Sequence, residues 1–200
     1  MFFRAIVILV SILPASCGNG SSGGGTSGLD GSWASSCFNM GVPGAGAATF
    51  SIQNVLSFKS GNLESLAVSY SAAGCTSVAK DSTLRRTGTY TAGEASAEVP
   101  DATNLDLIEA KVFFTVYSDS QVTSQNSASN CEKSNWQKGE EVEITGLTCI
   151  LLGDVQPKST YSIYKIAGSS LFTGQTDATN DGTSAEKRTK TISASPLTRM

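Results

Sequence analysis

Five cysteines and no histidine set the chemical limits of this chain. Without an imidazole there is no Ser-His-Asp or Cys-His relay to raise a nucleophile, and no His-ligated metal. Cys37, Cys75, Cys131 and Cys149 lie far apart with no CxxC spacing, so a zinc site would need four thiolates gathered from distant points. The carboxylates add little. Glu141 and Glu143 alternate beside Glu140, the pattern of a solvated strand face rather than of an acid–base pair. Asp177, Asn180 and Asp181 ahead of Gly182, with Glu186 beyond, offer oxygen ligands, but not in the order of an EF-hand loop. Asn180-Asp181-Gly182 is simpler as turn chemistry, and residues 101–106 are a weaker case of the same kind. No catalytic constellation, metal or cofactor is expected, and the chain is expected not to be an enzyme.

The charge balance narrows the partners. A formal charge of -3, with 14 Lys and Arg scattered along the chain, gives no basic face for nucleic acid. Aromatic side chains remain as candidates for recognition. Phe113, Tyr117, Trp136, Tyr164 and Phe172, with Tyr161, are expected to line a pocket for a small apolar or sugar-like molecule, while the same rings would serve equally as core filling.

The chain's address is written at its start. After Met1-Phe2-Phe3-Arg4 comes an apolar run over residues 5–13, then Pro14-Ala15-Ser16 before Cys17, which has the form of a signal peptide and is too short to span a bilayer. Small residues immediately before Cys17, followed by Gly18-Asn19-Gly20, resemble the lipobox of bacterial lipoproteins, although Pro14 stands where that family usually has Leu. The resemblance implies a diacylated Cys17 as the mature N-terminus. Gly18, with no Asp after the cysteine, resembles the pattern of lipoproteins sent to the outer membrane. Residues 18–28 are almost entirely Gly, Ser, Asn and Thr, a tether with little to bury. The expected organisation is a leader over 1–16, a tether over 17–28 and one domain over 29–200. In an exported chain the four remaining cysteines are expected to form disulfides. They allow three pairings, of which joining nearest neighbours gives Cys37–Cys75 and Cys131–Cys149.

The domain is built from strand material between turn residues. Strands are expected over 31–38, 48–59, 63–71, 86–92, 106–117, 140–151, 161–166, 170–175 and 187–194. In the fifth, Ile108, Ala110, Val112, Phe114 and Val116 fall on one face by period-two alternation. Residues 118–138 form a polar stretch that reads either as a loop or as a short helix around 122–128. Nine strands with short connections and no βαβ spacing predict an all-β, antiparallel up-and-down barrel of about eight or nine strands.

Leu29-Asp30-Gly31-Ser32-Trp33 resembles the Gly-x-Trp motif that opens the first strand of lipocalins. A wider pattern is similar to uncharacterised lipocalin-like lipoproteins of Gram-negative bacteria: residues 70–75, Gly88-Thr89-Tyr90-Thr91, Trp136-x-x-Gly139 and Tyr161-x-Ile163-Tyr164-Lys165 before Phe172-x-Gly174. The resemblance implies that Trp33 plugs one barrel end against a basic residue near the C-terminus, Arg188 or Arg199. Trp136, in a polar loop near Cys131, is expected to cap a barrel mouth. Two functions are expected from such a chain. It either holds a small hydrophobic ligand inside the barrel, or it is a structural or interaction lipoprotein of the envelope with a filled core. A cavity above about 300 Å³ lined by apolar side chains would favour the first.

Overall fold

The computed structural model describes residues 28–41, 48–150 and 152–200. The leader, Cys17 and almost all of the tether lie outside the described residues. Cross-strand pairing organises the rest. Strands β1 (Gly31–Ala34), β2 (Phe38–Gly41), β3 (Ala48–Lys59), β4 (Asn62–Tyr70), β5 (Lys80–Ala95) and β6 (Thr103–Val116) come first. Helix α1 (Asp119–Ser127) and the short strands β7 (Glu141–Glu143), β8 (Thr148–Cys149) and β9 (Gly153–Asp154) follow. The chain ends with β10 (Ser159–Ala167), β11 (Ser170–Gln175), β12 (Thr191–Ile192) and β13 (Leu197–Arg199).

Eight of these close a barrel. Going round, the order is β1, β3, β4, β5, β6, β10, β11, β13 and back to β1, each antiparallel to the next. This is the expected up-and-down barrel. Two hairpins carry suitable turns: Ser60 and Gly61 both hold positive φ, as a type I′ turn requires, and Gly168 takes the positive φ that opens the β10–β11 turn.

Several expected strands are altered, each for a local reason. The strand over 31–38 splits into β1 and β2, with Ser35 carrying the ladder across the break: its N–H donates to the Asn54 carbonyl, and its hydroxyl accepts from the Asn54 N–H. The strand over 140–151 breaks at Gly146, whose φ of +82° turns the chain so that its N–H donates to the Val155 carbonyl. Only Thr191–Ile192 of the strand over 187–194 forms, because the preceding segment bonds as a loop to the Tyr161 backbone. The barrel closes instead through β13, a three-residue strand after Pro196. Strand β5 begins at Lys80 and runs 16 residues, well beyond the expected 86–92.

Two β-bulges decide which side chains face inward. Between β5 and β6 the register passes from Thr87↔Lys111 to Gly88↔Glu109, leaving Ala110 unpaired. The bulge inverts the alternation of β6. Val112 and Val116 are fully buried above it, Leu105 is buried and Leu107 joins the core below it, and Ile108 is exposed. The single apolar face expected from Ile108 to Val116 is therefore corrected: it holds only above Ala110. A Cβ at Gly88 would lie 1.9 Å from the Ile108 carbonyl oxygen, so only glycine fits opposite this bulge. Between β4 and β5 the register passes from Ser69↔Ser82 to Tyr70↔Lys80, leaving Asp81 as the extra residue.

The hydrophobic core is divided. Leu29, Trp33, Phe58, Leu63, Leu105, Tyr164 and Leu171 fill one end of the barrel. Val112, Cys131, Trp136, Ile144, Cys149 and Val155 form a second cluster against the other end. Disulfides join Cys37 to Cys75 and Cys131 to Cys149, the nearest-neighbour pairing.

Candidate functional site

The strand alternation leaves the upper half of the barrel partly empty. Phe50 and Ile52 of β3, Ala67 and Ser69 of β4, Leu84 of β5 and Phe114 of β6 project from neighbouring strands into one cavity of about 660 Å³, open to solvent at the mouth. Leu152 adds to this apolar wall from the β8–β9 connection.

The opposite wall is polar. Helix α1 carries no apolar stripe, and its side chains Ser120, Gln121 and Gln125 turn toward the cavity together with Asn130. Their amides are joined head to tail. The Asn130 amide donates to the Gln125 oxygen, Gln125 donates to Gln121 at 3.3 Å, and Gln121 donates to a carboxylate oxygen of Asp81 at 2.8 Å. Ser118 caps α1, accepting the Gln121 N–H at 3.2 Å while its hydroxyl donates to the other Asp81 oxygen at 2.8 Å. On the far side of α1, Asn126 exchanges two hydrogen bonds with the Trp136 backbone, at 2.6 and 3.1 Å. The polar wall is thus tied at both edges.

Asp81 faces inward because of the β4–β5 bulge. Strict alternation from Leu84 and Ser82 would turn Asp81 outward, but the extra residue brings it to the same side as Ser82, and both line the cavity. Below Leu84, the next inward position of β5 holds Arg86, which pairs at 2.8 Å with Glu109, the first inward residue of β6 beyond the bulge.

None of the six aromatic residues expected in the pocket lines it: Tyr161 stands beside Arg188, whose guanidinium carbon is 5.6 Å from its ring centroid, and the other five are corrected for definite reasons. Phe113 has the opposite parity to Phe114 and lies outside the barrel under Arg85, whose guanidinium carbon is 4.2 Å from the ring centroid. Tyr117 is also outside, with the Lys80 ammonium 4.0 Å over its ring and its hydroxyl 3.4 Å from Thr83. Burial pushes the Tyr117 phenol up, but the Thr83 hydroxyl and the Lys80 ammonium outweigh it and bring it below the usual tyrosine value. Trp136 stands one layer behind the wall, edge-on to Phe114 at 5.6 Å, with its indole N–H donating to the Asn130 carbonyl. Tyr164 belongs to the filled end. Phe172 precedes no cavity wall either: it alternates with the buried Leu171 and so faces outward.

The barrel-end plug forms with one substitution of partner. The Trp33 indole N–H donates to the Leu29 carbonyl at 2.8 Å, and it is Arg199 that covers the ring, at 4.7 Å. Arg188 is instead engaged elsewhere, pairing with Asp106 at 2.7 Å and donating to the carbonyls of Ser162 and Leu105. The reason is register: Arg199 is the cross-strand partner of Trp33 on β13, whereas Arg188 sits in the loop before β12.

The carboxylates weighed for other chemistry are occupied locally. Glu141 and Glu143 pair with Arg85 and Lys111 on the outer face, and the Arg85 guanidinium holds the Glu141 carboxyl below its ordinary value. Asp177 accepts the N–H groups of Thr179 and Asn180, and Asp181 that of Thr183. Among the described residues no three His, Cys, Asp or Glu side chains stand together to hold a metal ion.

Fold and site together define a closed eight-stranded barrel with one end packed and an amphipathic cavity at the other. No family model and no curated protein matches the chain.

Proposed function

We propose that this chain is a lipid-anchored, lipocalin-like protein of the bacterial envelope, held in the outer membrane through Cys17, and that it binds a small amphipathic molecule in the mouth of its barrel. The observation that carries the reading is the cavity of about 660 Å³, within the range of about 300–1,000 Å³ usual for small-molecule pockets. The apolar wall of Phe50, Ile52, Leu84 and Phe114 suits a hydrophobic body, and the amides of α1 suit polar groups along one edge. The anchor and the address rest on the leader, on the small residues before Cys17 and on the Gly/Ser tether. The family resemblance is supported by Trp33 and Arg199 meeting across one barrel end.

Mass spectrometry on protein taken gently from its host's envelope tests all three parts. An acylated Cys17, two disulfides and a discrete extra mass under native conditions are expected, with the extra mass lost when Ala67→Phe fills the cavity. An unacylated N-terminus overturns the anchor. An acylated, oxidised protein that carries nothing and takes up no amphiphile overturns the binding role and leaves an interaction lipoprotein.

A further inference from the structure

The cavity carries one net charge. Among the described residues that line it, Asp81 is the single ionisable group apart from the Tyr70 phenol. The cations of β5 are already committed: Arg86 pairs with Glu109 at 2.8 Å, Arg85 with Glu141 and Glu64, and Lys80 lies over Tyr117 on the outside of the barrel. A carboxylate facing a partly desolvated, aromatic-walled space favours a positive group beside it and repels a negative one.

The position of Asp81 has a cost that its structural role does not demand. Ser118 already caps α1, so the helix start does not need a charge beneath it. Turning Asp81 inward takes a β-bulge, which interrupts the β4–β5 ladder and places a half-buried carboxylate in the same cavity as Leu84 and Phe114. Each of its oxygens accepts one hydrogen bond, from Ser118 and from Gln121, and retains capacity for another. The head-to-tail amides all donate toward it, so the chain from Asn130 through Gln125 and Gln121 fixes the orientation of the carboxylate. Phe50, Tyr70 and Phe114 supply aromatic surface within the same cavity, which an organic cation can also use.

We infer that the cavity selects a cationic amphiphile: a molecule with an ammonium group that pairs with Asp81 and an apolar body against Phe50, Ile52, Leu84 and Phe114. The inference rests on the binding role proposed above and adds the charge of its ligand.

Three probes with one tail separate the two claims. Hexylammonium, hexanol and hexanoate, too short to form micelles readily, are titrated calorimetrically into the full chain in lipid nanodiscs, with empty nanodiscs as the blank. Hexylammonium is expected to bind at least about tenfold more tightly than hexanoate, the scale of one charge-assisted contact. Asp81→Asn, of the same shape, is expected to bring the ratio below about threefold. Equal binding of all three probes to the native chain, or a preference that survives in Asp81→Asn, overturns the cationic ligand while leaving the cavity a binding site. Binding of none of them overturns both. Should Asp81→Asn fail to fold, as thermal melting would show, the ratio on the native chain decides the matter alone.

Discussion

Arg199 lies over the ring of Trp33, its guanidinium carbon 4.7 Å from the centroid, and donates to the carbonyls of Gly28 and Asp30 at 2.8 and 2.9 Å. One side chain thereby ties the last strand to the entry of the first and closes the packed end of the barrel. Replacing Arg199 by Ala is expected to cost about 1–3 kcal/mol, from a cation–π contact and charged hydrogen bonds at a partly exposed site. Arg199→Lys should recover only part of this, because an ammonium lacks the planar guanidinium that stacks on the Trp33 ring while one of its nitrogens reaches both carbonyls. Trp33→Ala should cost about 3–5 kcal/mol, as expected for a buried Trp. Urea unfolding measures all three. Arg188→Ala is the control: it should leave the fluorescence of Trp33 unchanged.

The barrel and the cavity differ in how far the sequence discloses them. Strand content, turn residues and even cysteines lead to the closed barrel, because pairing and burial average over many residues. The cavity depends on single-residue parity, and each bulge reverses it. Phe113 and Phe114 are adjacent phenylalanines of which only Phe114 faces in, and the alternation with Val112 and Val116 already marks it as the inner one. Asp81 gives no such signal. It lies in a polar run, Lys80-Asp81-Ser82-Thr83, that carries no period-two pattern, and only the pairing of β5 with β4 reveals the extra residue. The glutamines of α1 are silent for a related reason: a helix with no apolar stripe looks like a loop in sequence.

Gly88 tests the bulge that divides the packed end from the open one. A methyl group there meets the Ile108 carbonyl oxygen at 1.9 Å and the Glu109 Cα at 2.9 Å, both backbone atoms of the neighbouring strand. Neither can retreat without breaking the β5–β6 ladder. Gly88→Ala is expected to destabilise by about 1–3 kcal/mol, the range of overpacking that moves backbone. Thermal melting gives the loss. Gly61→Ala, with open space around its Cβ but a φ of +83°, should cost less, about 1 kcal/mol for the left-handed conformation alone.

The two disulfides should not contribute in proportion to the loops they close. Loop entropy alone favours Cys37–Cys75, separated by 38 residues, over Cys131–Cys149, separated by 18, at about 4 against about 3 kcal/mol. Burial reverses the order. Cys131 and Cys149 are almost completely buried beside Trp136, whereas Cys37 and Cys75 are half-buried near the rim. Converting a pair to serine in the core adds hydroxyls in apolar surroundings, about 1–3 kcal/mol each when left without partners. The Cys131→Ser/Cys149→Ser variant is therefore expected to be the less stable of the two double variants. Denaturant titration of both ranks them.

Acid should weaken the outer face of the barrel through Glu141. Its hydrogen bond to Arg85, 2.7 Å from Nε, lowers its folded pKa below that of the unfolded chain, despite some desolvation. A carboxyl depressed in the folded state contributes stability above its unfolded pKa, and that contribution fades as the pH falls through the folded value, below the ordinary carboxylate range. Glu141→Gln should lose this contribution at neutral pH and show a flatter acid limb. The neutral-pH loss should be small, under about 1 kcal/mol, because the Glu141 side chain is 43% exposed and solvent screens the pair. Arg85 also lies over Phe113 and pairs with Glu64, so Arg85→Met should cost more than Glu141→Gln at every pH. Urea midpoints measured across an acid series test both variants, and a flat acid limb in the native chain would mean that Glu141 does not titrate with folding.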